Sequence, residues 1–363
     1  MKLKCCGYNI VVGLNVLKNI SENIDFCKYS KVIVLTEKKI YNLWKDKIND
    51  AIKFDKVIQV NSGEKTKSVE TVKDVLRQLI DIGADRKSLL INIGGGMITD
   101  LGGFVASIYM RGIEYINCPT TLLAIVDASI GGKNGVNFEE IKNIVGCFGH
   151  PKMVLIDIDF LKTLKKREYI SAYGEIIKHS IIFDKKYFNM LKKNIKMGLK
   201  VDDVENDNLL KIIYKSLKIK KHIVEKDFKE KNIRKLLNFG HTIGHTIEAL
   251  SLETKQPLLH GEAVAVGMII ESKIAIKIGM FSKHDFEEIY NLIIQHGFEK
   301  IVKTKFSFSV DDVLKLVKKD KKNRNGKIKM VLPVKIGKCK HDIDVEPKVI
   351  KSCLKDILNE SGK

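Results

Sequence analysis

The sequence predicts an α/β chain, with a Rossmann-like parallel-sheet domain at residues 1–150 and a mainly α-helical domain at residues 151–363. Three observations support this prediction. β-branched runs alternate with amphipathic stretches over about the first 120 residues, and the apolar spacing is mostly helical from Glu168 onward. A length of 363 residues also allows two domains that each bury a core. With 44% hydrophobic and 30% charged residues, the composition is that of a folded globular protein.

The elements of the first domain follow in order along the chain. Strands at 31–35, 57–60 and 89–93 precede helices at 39–52, 69–82 and 99–106, and one further strand is predicted at 153–156. Strands separated by helices are typical of βαβ units and therefore of a parallel sheet. The first 17 residues are interpreted as a strand entering a helix rather than a signal peptide, because Asn9 and Asn15 interrupt the apolar run. No stretch reaches the ~20 apolar residues that would span a membrane.

The charge of the chain limits which classes of partner it can bind, and its cysteine content indicates its location. The net charge is +20, but only six of the 64 basic residues are Arg, which favours a solvated lysine surface over nucleic-acid recognition. Such a surface would still concentrate small anionic substrates. Seven cysteines without a CxxC pair argue against a disulfide framework or a zinc ribbon and predict a reducing, cytoplasmic location.

A triple glycine follows the predicted strand 89–93. Gly94, Gly95 and Gly96 precede a segment that begins a helix. Glycine permits positive φ and a close backbone approach to phosphate, and a helix N-terminus adds partial positive charge. The spacing is not that of the GxGxxG motif, so a plain turn and a nucleotide site both remain open at this point.

Three of the nine histidines fall within 20 residues. His241 and His245 are four apart and share a helix face, and His260 follows after a loop. Glu175 places a carboxylate on an otherwise apolar helical face, where a salt-bridged Glu is the plain alternative. If Glu175 faces His241 and His260, the three form a metal shell with an open position, as in catalytic zinc sites.

Polar, glycine-rich loops at 126–137 and 142–143 contain Asp127, Lys133, Lys142 and Asn143. Lysine point charges in such loops suit phosphate capture. Ordinary surface lysines in a lysine-rich chain would look the same.

Together these segments resemble the 3-dehydroquinate synthase family over essentially the whole chain. The resemblance lies in the order and spacing of a series of short motifs. These are Gly63 to Ser68, Gly94 to Phe104, Arg111-Gly112, Pro119 to Leu123, Asp127 to Asn137, Lys142-Asn143, Glu175 to Lys178, Lys220, Arg234 to Glu248, His260 to Met268 and Asp320 to Lys322. The chain departs from the family pattern at Thr99, Asn134, His150, Lys165 and Phe228, none of which is a proposed contact.

The resemblance implies a dehydroquinate synthase-like fold, a tightly held NAD, one divalent metal such as zinc or cobalt, and a homodimer. It implies conversion of 3-deoxy-arabino-heptulosonate 7-phosphate to 3-dehydroquinate and phosphate in the shikimate pathway. The implied steps are transient oxidation of a ring hydroxyl, phosphate elimination, re-reduction, ring opening and intramolecular aldol closure. Oxidation comes first because a ketone acidifies the neighbouring C–H, so that phosphate can leave by elimination.

The resemblance also assigns residues to roles. It implies metal ligation by Glu175, His241 and His260, and NAD contacts from Glu64, Lys67, Gly95, Gly96, Asp100, Thr120, Thr121, Lys133, Lys142 and Thr163, with Asp100 opening its helix. It implies a phosphate site of Lys133, Lys142, Asn143 and Lys321, with Arg111 reaching in from a second subunit. It implies substrate-carboxylate contacts from Lys220, Arg234 and Asn238, proton handling by His245, and a polar shell completed by Asp127 and Lys178.

Three other functions remain to be weighed. A metal-dependent polyol dehydrogenase would usually have Asp in place of Glu175 and would not need the cationic cluster. A sugar-phosphate cyclase whose substrate lacks a carboxylate would leave Lys220 and Arg234 as costly unpaired cations. A non-enzymatic polyanion-binding protein would explain the net charge, but not Glu175 together with the histidines.

Overall fold

The structure is a computed structural model that describes residues 1–139, 141–194, 207–304, 306–318 and 327–360. Its contacts divide the chain into two compact units. One comprises Met1–Lys165 with Val201–Lys221, and the other comprises Lys166–Lys200 with His222–Lys363. None of the helices in the described ranges combines the length and apolar character that a membrane crossing requires.

The first unit is built on a seven-stranded, mostly parallel sheet. Within the described residues the strands of this unit are β1 (Lys2–Cys5), β2 (Tyr8–Gly13), β3 (Val32–Glu37), β4 (Lys56–Val60), β5 (Leu89–Gly94), β6 (Glu114–Pro119), β7 (Lys133–Phe138), β8 (Ile141–Phe148) and β9 (Met153–Asp157). β7 and β8 form a separate two-stranded sheet, and the other strands form the large sheet. The sheet order is β1-β2-β9-β6-β5-β3-β4, with β1 antiparallel to β2 and the other pairs parallel. This confirms the predicted fold class and the strands expected near 31–35, 57–60, 89–93 and 153–156.

Helices cover both faces of this sheet because its strands are apolar on both sides. In β3, Val32 and Val34 join the core under α1 (Lys38–Ala51), whereas Ile33 and Leu35 join the core under α2 (Val69–Asp81) and α3 (Gly96–Ile108). Alternation of side chains along a strand produces these two separate cores. Helix α3 begins at Gly96, so Asp100 lies in its second turn, and the prediction that Asp100 opens the helix is wrong.

Two β-hairpins differ from the sequence prediction in this unit. β1 and β2 form a hairpin that leads into a 3₁₀ segment, Val16–Glu22, where a strand entering a helix was expected. β7 and β8 pair in antiparallel register across 133–148, where polar loops were expected. The glycines explain the second case: a Cβ on Gly135 would lie 2.8 Å from the Val145 carbonyl oxygen, so glycine allows the two strands to approach closely.

The second unit is mainly helical, as predicted. In the described residues its helices are α4 (Lys166–Phe183), α5 (Lys185–Lys193), the end of α6 (Asp207–Lys226), α7 (His241–Ser251), α8 (His260–Lys277), α9 (Lys283–Ile293), α10 (Glu299–Val302), α11 (Val310–Lys318) and α12 (Pro347–Glu360). It also contains the hairpin β10 (Ile328–Lys335) and β11 (Lys338–Val345), so the prediction of a single strand after residue 150 is wrong. In β10 the buried run from Met330 to Pro333 is continuous rather than alternating, so the strand lacks the period of two that would have been the signal.

Candidate functional site

Helix α4 carries Glu175 to a fully buried position beside α8. A Cβ on Gly174 would lie 2.3 Å from the carbonyl oxygen of Gly261, and a Cβ on Gly261 would lie 1.7 Å from that of Ser171. Glycine at both positions therefore lets the two helices approach closely. Because His260 begins α8, this contact places it next to Glu175.

The three predicted metal ligands converge in the second unit. Glu175 Oε1 lies 3.4 Å from His241 Nε2 and 3.4 Å from His260 Nε2. Glu175 Oε2 forms an ion pair with the buried Lys178. Within the described chain, Oε1 accepts no hydrogen bond of normal geometry although it is shielded from solvent. A buried acceptor without a donor calls for an external cation or proton.

The neighbours of the two imidazoles determine which nitrogen faces Glu175. His241 Nδ1 lies 3.0 Å from the Phe239 carbonyl oxygen, and His260 Nδ1 lies 3.1 Å from Glu248 Oε2. Both partners can only accept, so both Nδ1 atoms donate. In neutral His241 the Nε2 atom then carries a lone pair directed toward Glu175, and His260 presents its own Nε2 to the same oxygen, the arrangement of metal-ligating histidines with carbonyl or carboxylate partners.

The charges around the cluster also fit a cation. Burial would raise the pKa of Glu175, but Lys178, His241 and His260 hold it well below its usual range. Burial, together with Lys178, holds the pKa of His241 well below its ordinary value. For His260 burial acts downward, yet the carboxylates of Glu175 and Glu248 raise the pKa to about 10. Two carboxylates thus favour a positive charge at this position, and a divalent cation would provide it.

His245 lies beside these ligands on the exposed side of α7. Its ring centroid is 4.9 Å from that of His241 and 5.5 Å from that of His260, and one nitrogen of each of the three histidines lies within 4.8 Å of the others. His245 is therefore placed either to complete a metal shell or to exchange protons beside it.

In the first unit, the three glycines let neighbouring side chains pack closely against the backbone, and they do not adopt unusual backbone angles. None of the three has positive φ, contrary to the sequence argument. A Cβ on Gly94 would lie 2.6 Å from the Ile98 side chain, and one on Gly95 would lie 3.2 Å from Thr121 Cγ2. Gly95 is the N-cap of α3 and has no side chain with which to cap it.

The carboxyl ends of β3, β5 and β6 lie along the same edge of the sheet as this helix start. The buried hydroxyls of Thr36 and Thr120, which end or follow two of these strands, have no hydrogen-bond partner among the described residues. A helix N-terminus with close backbone access and polar groups at the strand ends fits the pyrophosphate and ribose of a dinucleotide.

A polar network joins several predicted NAD contacts. Lys67 Nζ donates to Asp100 Oδ2 at 2.6 Å and to Asn143 Oδ1 at 2.5 Å. Asn137 Nδ2 donates to Glu64 Oε1 at 2.9 Å, and the Asn143 N–H donates to Asn137 Oδ1 at 2.9 Å. Burial raises the pKa of Asp100, and the Lys67 ammonium opposes that shift. The structure therefore brings Glu64, Lys67, Asp100 and Asn143 together.

The predicted substrate contacts lie at polar positions in each unit, with Lys220 and Arg234 buried and Asn238 half-buried. In the first, Lys220 Nζ forms an ion pair with Asp127 Oδ1 at 2.5 Å. In the second, the buried Arg234 donates from Nη1 to the Phe228 carbonyl at 2.6 Å, and Asn238 Nδ2 donates to Glu230 Oε1 at 2.8 Å. Asn238 lies on the wall of a cavity of about 540 Å³, which is also lined by Lys229, Glu230, Lys235, Thr242, Lys329, Met330, Val331, His341 and Asp342.

The remaining predicted residues lie elsewhere in the first unit or outside the described residues. Thr163 Oγ1 accepts a hydrogen bond from Trp44 Nε1 at 2.9 Å. Lys133 begins β7 and Lys142 lies on β8, both exposed. Arg111 lies on an exposed turn after α3 with φ 70°. Lys321 falls outside the described residues.

Sequence reasoning missed two acidic side chains at these sites. Glu248 lies seven residues after His241 and three after His245, a spacing that predicts a shared helix face. Glu37 ends β3, and its Oε1 is 4.0 Å from where a Cβ on Gly95 would lie. Acidic residues at such strand ends commonly bind a dinucleotide ribose, so the motif Thr36-Glu37 after an apolar run was a usable signal.

Comparisons with known proteins place this geometry in a family. The family model "3-dehydroquinate synthase N-terminal" matches residues 57–171, and "3-dehydroquinate synthase C-terminal" matches residues 172–323. The 3-dehydroquinate synthase of Dictyoglomus turgidum is 42% identical over 354 residues, which cover 98% of this chain and 96% of that protein. That of Dictyoglomus thermophilum is 43% identical over 355 residues, covering 98% and 97% respectively.

A solved structure agrees with these relatives. The 2-epi-5-epi-valiolone synthase of Streptomyces hygroscopicus subsp. jinggangensis 5008, with NAD+ and Zn2+ bound, has a TM-score of 0.86 at 26% identity. The match covers 99% of this chain and 98% of that one. Both family models, the two relatives and the metal-ligand geometry of the second unit lead to one assignment: the chain belongs to the 3-dehydroquinate synthase family.

Proposed function

We propose that this chain is a 3-dehydroquinate synthase that uses bound NAD and one divalent metal. Its substrate would be 3-deoxy-arabino-heptulosonate 7-phosphate, and its products would be 3-dehydroquinate and phosphate. Close relatives that bear this name over nearly their full length support the proposal.

One observation carries the metal requirement. The buried Glu175 Oε1 lies 3.4 Å from Nε2 of His241 and 3.4 Å from Nε2 of His260, and it accepts no hydrogen bond of normal geometry from the described residues. Glu175, His241 and His260 would hold the ion, and Lys178 would balance the second carboxylate oxygen. When bound, the divalent ion would supply Lewis-acid polarisation of a substrate hydroxyl, and NAD would supply a reversible hydride acceptor.

The chain's own residues would bind and orient the substrate. Arg234 and Asn238 would hold its carboxylate together with Lys220, whose ammonium Asp127 orients through an ion pair. Lys133, Lys142, Asn143 and Lys321 would neutralise the leaving phosphate. His245, exposed beside the metal ligands, would exchange protons with the substrate, and the substrate's own phosphate is a further base. Glu64, Lys67, Gly95, Gly96, Asp100, Thr120, Thr121 and Thr163 would contact NAD, with further contacts from Lys133 and Lys142.

We also propose that the protein is a homodimer that pairs through the β7–β8 hairpin. Within the described residues β8 pairs only with β7, so its outer edge offers backbone hydrogen-bonding groups. Six large apolar side chains on or near this hairpin are 42–56% exposed: Ile108, Met110, Phe138, Ile141, Ile144 and Phe148. Exposed apolar clusters of this kind typically mark interfaces, and in the proposed dimer the neighbouring Arg111 would enter the partner's site.

The decisive experiment measures phosphate release from 3-deoxy-arabino-heptulosonate 7-phosphate, with and without added NAD and after EDTA treatment. We expect release that requires metal and NAD, with no build-up of NADH absorbance because the hydride is returned. H241A should lower the rate by about 100-fold or more, since a metal ligand is lost. H284A, at a histidine whose side chain is 85% exposed on α9, is the matched control and should retain full activity.

Two results would contradict the proposal. Steady NADH formation from a simple polyol, without phosphate release, would indicate a dehydrogenase. Faster turnover of a heptulose phosphate that lacks the carboxylate would indicate a different cyclase.

A further inference from the structure

Helix α7, which carries His241, cannot cap its own N-terminus. Its N-cap residue is Gly240, which has φ 78° and no side chain that could accept the free N–H groups of the first turn. A Cβ on Gly240 would lie 2.6 Å from Met268 Cγ and 2.8 Å from the Val264 carbonyl oxygen. The usual capping residues Ser, Thr, Asp and Asn are therefore excluded by both backbone angle and space.

Glu271, on the neighbouring helix α8, provides the cap instead. Its side chain is completely buried, and its Oε2 accepts the Gly240 N–H at 2.6 Å while its Oε1 accepts the Ile243 N–H at 3.1 Å. The Thr242 N–H also points to this carboxylate. Burial raises the pKa of Glu271 to about 8, and the N–H groups of Ile243, Gly240 and Thr242 act against that shift because they and the helix dipole favour the carboxylate.

The same contact acts on the orientation of His241. The N–H of Gly240 and the carbonyl of Phe239 belong to one peptide group. Glu271 holds the N–H side of that group, and the carbonyl side accepts the His241 Nδ1–H at 3.0 Å. Glu271 therefore fixes a rigid peptide plane that in turn selects the tautomer of His241 in which Nε2 faces Glu175.

We propose that Glu271 is a positioning residue that holds His241 in its metal-binding orientation, an inference that rests on the metal role proposed above for His241. Glutamine cannot replace it. An amide has a single oxygen acceptor, so its NH₂ would face one of the backbone N–H donors. Glu271→Gln keeps the volume of the side chain but replaces one acceptor oxygen by an NH₂ donor and removes the negative charge.

The test measures Co²⁺ affinity by competition with a chromophoric chelator, together with the visible spectrum of bound Co²⁺ and the Tm. Four proteins are compared: wild type, E271Q, H241A and L292A. Leu292 is fully buried on α9, a helix of the same unit that carries none of the proposed ligands, so L292A is a destabilised control. We expect E271Q to bind Co²⁺ about tenfold or more weakly with an altered spectrum, since partners of metal-bound histidines usually have effects of this size. L292A should have a lowered Tm and wild-type affinity.

Each alternative outcome would show which part of the proposal is wrong. Equal Co²⁺ affinity of wild type and H241A would overturn the metal site itself. Loss of affinity in H241A, but wild-type affinity and spectrum in E271Q, would overturn the positioning role alone. Equal losses of Co²⁺ affinity in E271Q and L292A, at similar Tm, would show that Glu271 only stabilises the fold. That result would also overturn the proposal.

A second measurement decides the question if E271Q does not fold. In the metal-free wild-type protein, ¹⁵N NMR should show His241 protonated at Nδ1, and the Gly240 amide should exchange about 100-fold more slowly than an unstructured amide. Protonation at Nε2, or fast exchange at Gly240, would overturn the proposal without any variant.

Discussion

At the scale of single residues, the site depends on acceptors that face one another. The Nε2 atoms of His241 and His260 point at Glu175 because their Nδ1 atoms donate to Phe239 and Glu248. The His241 lone pair and the Glu175 carboxylate repel unless a cation or a proton lies between them. In the metal site that we propose, the partners of the imidazoles would therefore matter as much as the ligands themselves.

This argument predicts that Glu248→Gln weakens metal binding by about 10- to 100-fold. The glutamine can present its NH₂ to His260 Nδ1, which would favour the tautomer with Nδ1 as acceptor and would protonate Nε2. Metal affinity by chelator competition is the measurement. E253Q, at an exposed acid shortly after the end of α7, is the matched control and should bind metal like the wild type. Unchanged affinity in E248Q would show that the contact does not orient His260.

At the scale of elements, glycine contacts set the distances between the helices that carry the ligands. Gly174 and Gly261 bring α4 against α8, and a Cβ on Gly267 would lie 2.0 Å from the Gly240 carbonyl oxygen, which brings α8 against α7. Close helix contacts of this kind leave little freedom for rearrangement, because no flexible side chain lies between the backbones. The ligands are thereby held on rigid elements rather than on loops.

Lys67 links three elements of the first unit. Its ammonium joins Asp100 on α3 to Asn143 on β8, and its carbonyl accepts the Asn137 N–H of β7 at 2.8 Å. We predict that Lys67→Met weakens NAD binding by about tenfold or more, because a charge-assisted pair is lost and Asp100 is left without its buried partner. Calorimetric titration with NAD is the measurement. K65M, at the exposed lysine two residues earlier, should bind NAD normally, and equal affinities for both variants would contradict the prediction.

At the scale of the whole molecule, surface charge and surface apolarity have separate roles. The net charge of +20 is carried almost entirely by lysine and favours the approach of anionic substrates, an effect that salt should weaken. The apolar side chains of the β7–β8 hairpin are exposed despite this charge, and this is the surface through which we propose that two copies of the chain pair.

We predict that Ile144→Asp converts the dimer to a monomer, because a charge would have to be buried on the apolar face of β8. Sedimentation velocity measures the change directly. I80D is the matched control, since Ile80 is 65% exposed on α2, away from this hairpin in the chain, and should leave the dimer intact. A wild type that sediments as a monomer at all concentrations would contradict the dimer proposal itself.

The sequence by itself determined the βαβ order, the helical second unit and the set of candidate ligands, because apolar periodicity is a local property and the motif spacing is characteristic. It did not reveal the β7–β8 and β10–β11 hairpins. In the β7–β8 hairpin, glycines weakened the apolar pattern that indicates a strand. In the β10–β11 hairpin, that pattern is short and lies between helical segments.

Only the tertiary structure decided how the site is held. Glu175 and His260 are 85 positions apart, and no local pattern states that Gly174 and Gly261 bring them together. The roles of Glu248 and Glu271 likewise depend on contacts between helices, since a carboxylate becomes a histidine partner or a helix cap only through what lies opposite it. The sequence specifies the residue types and their order, whereas hydrogen-bond direction and charge balance arise only when distant segments pack.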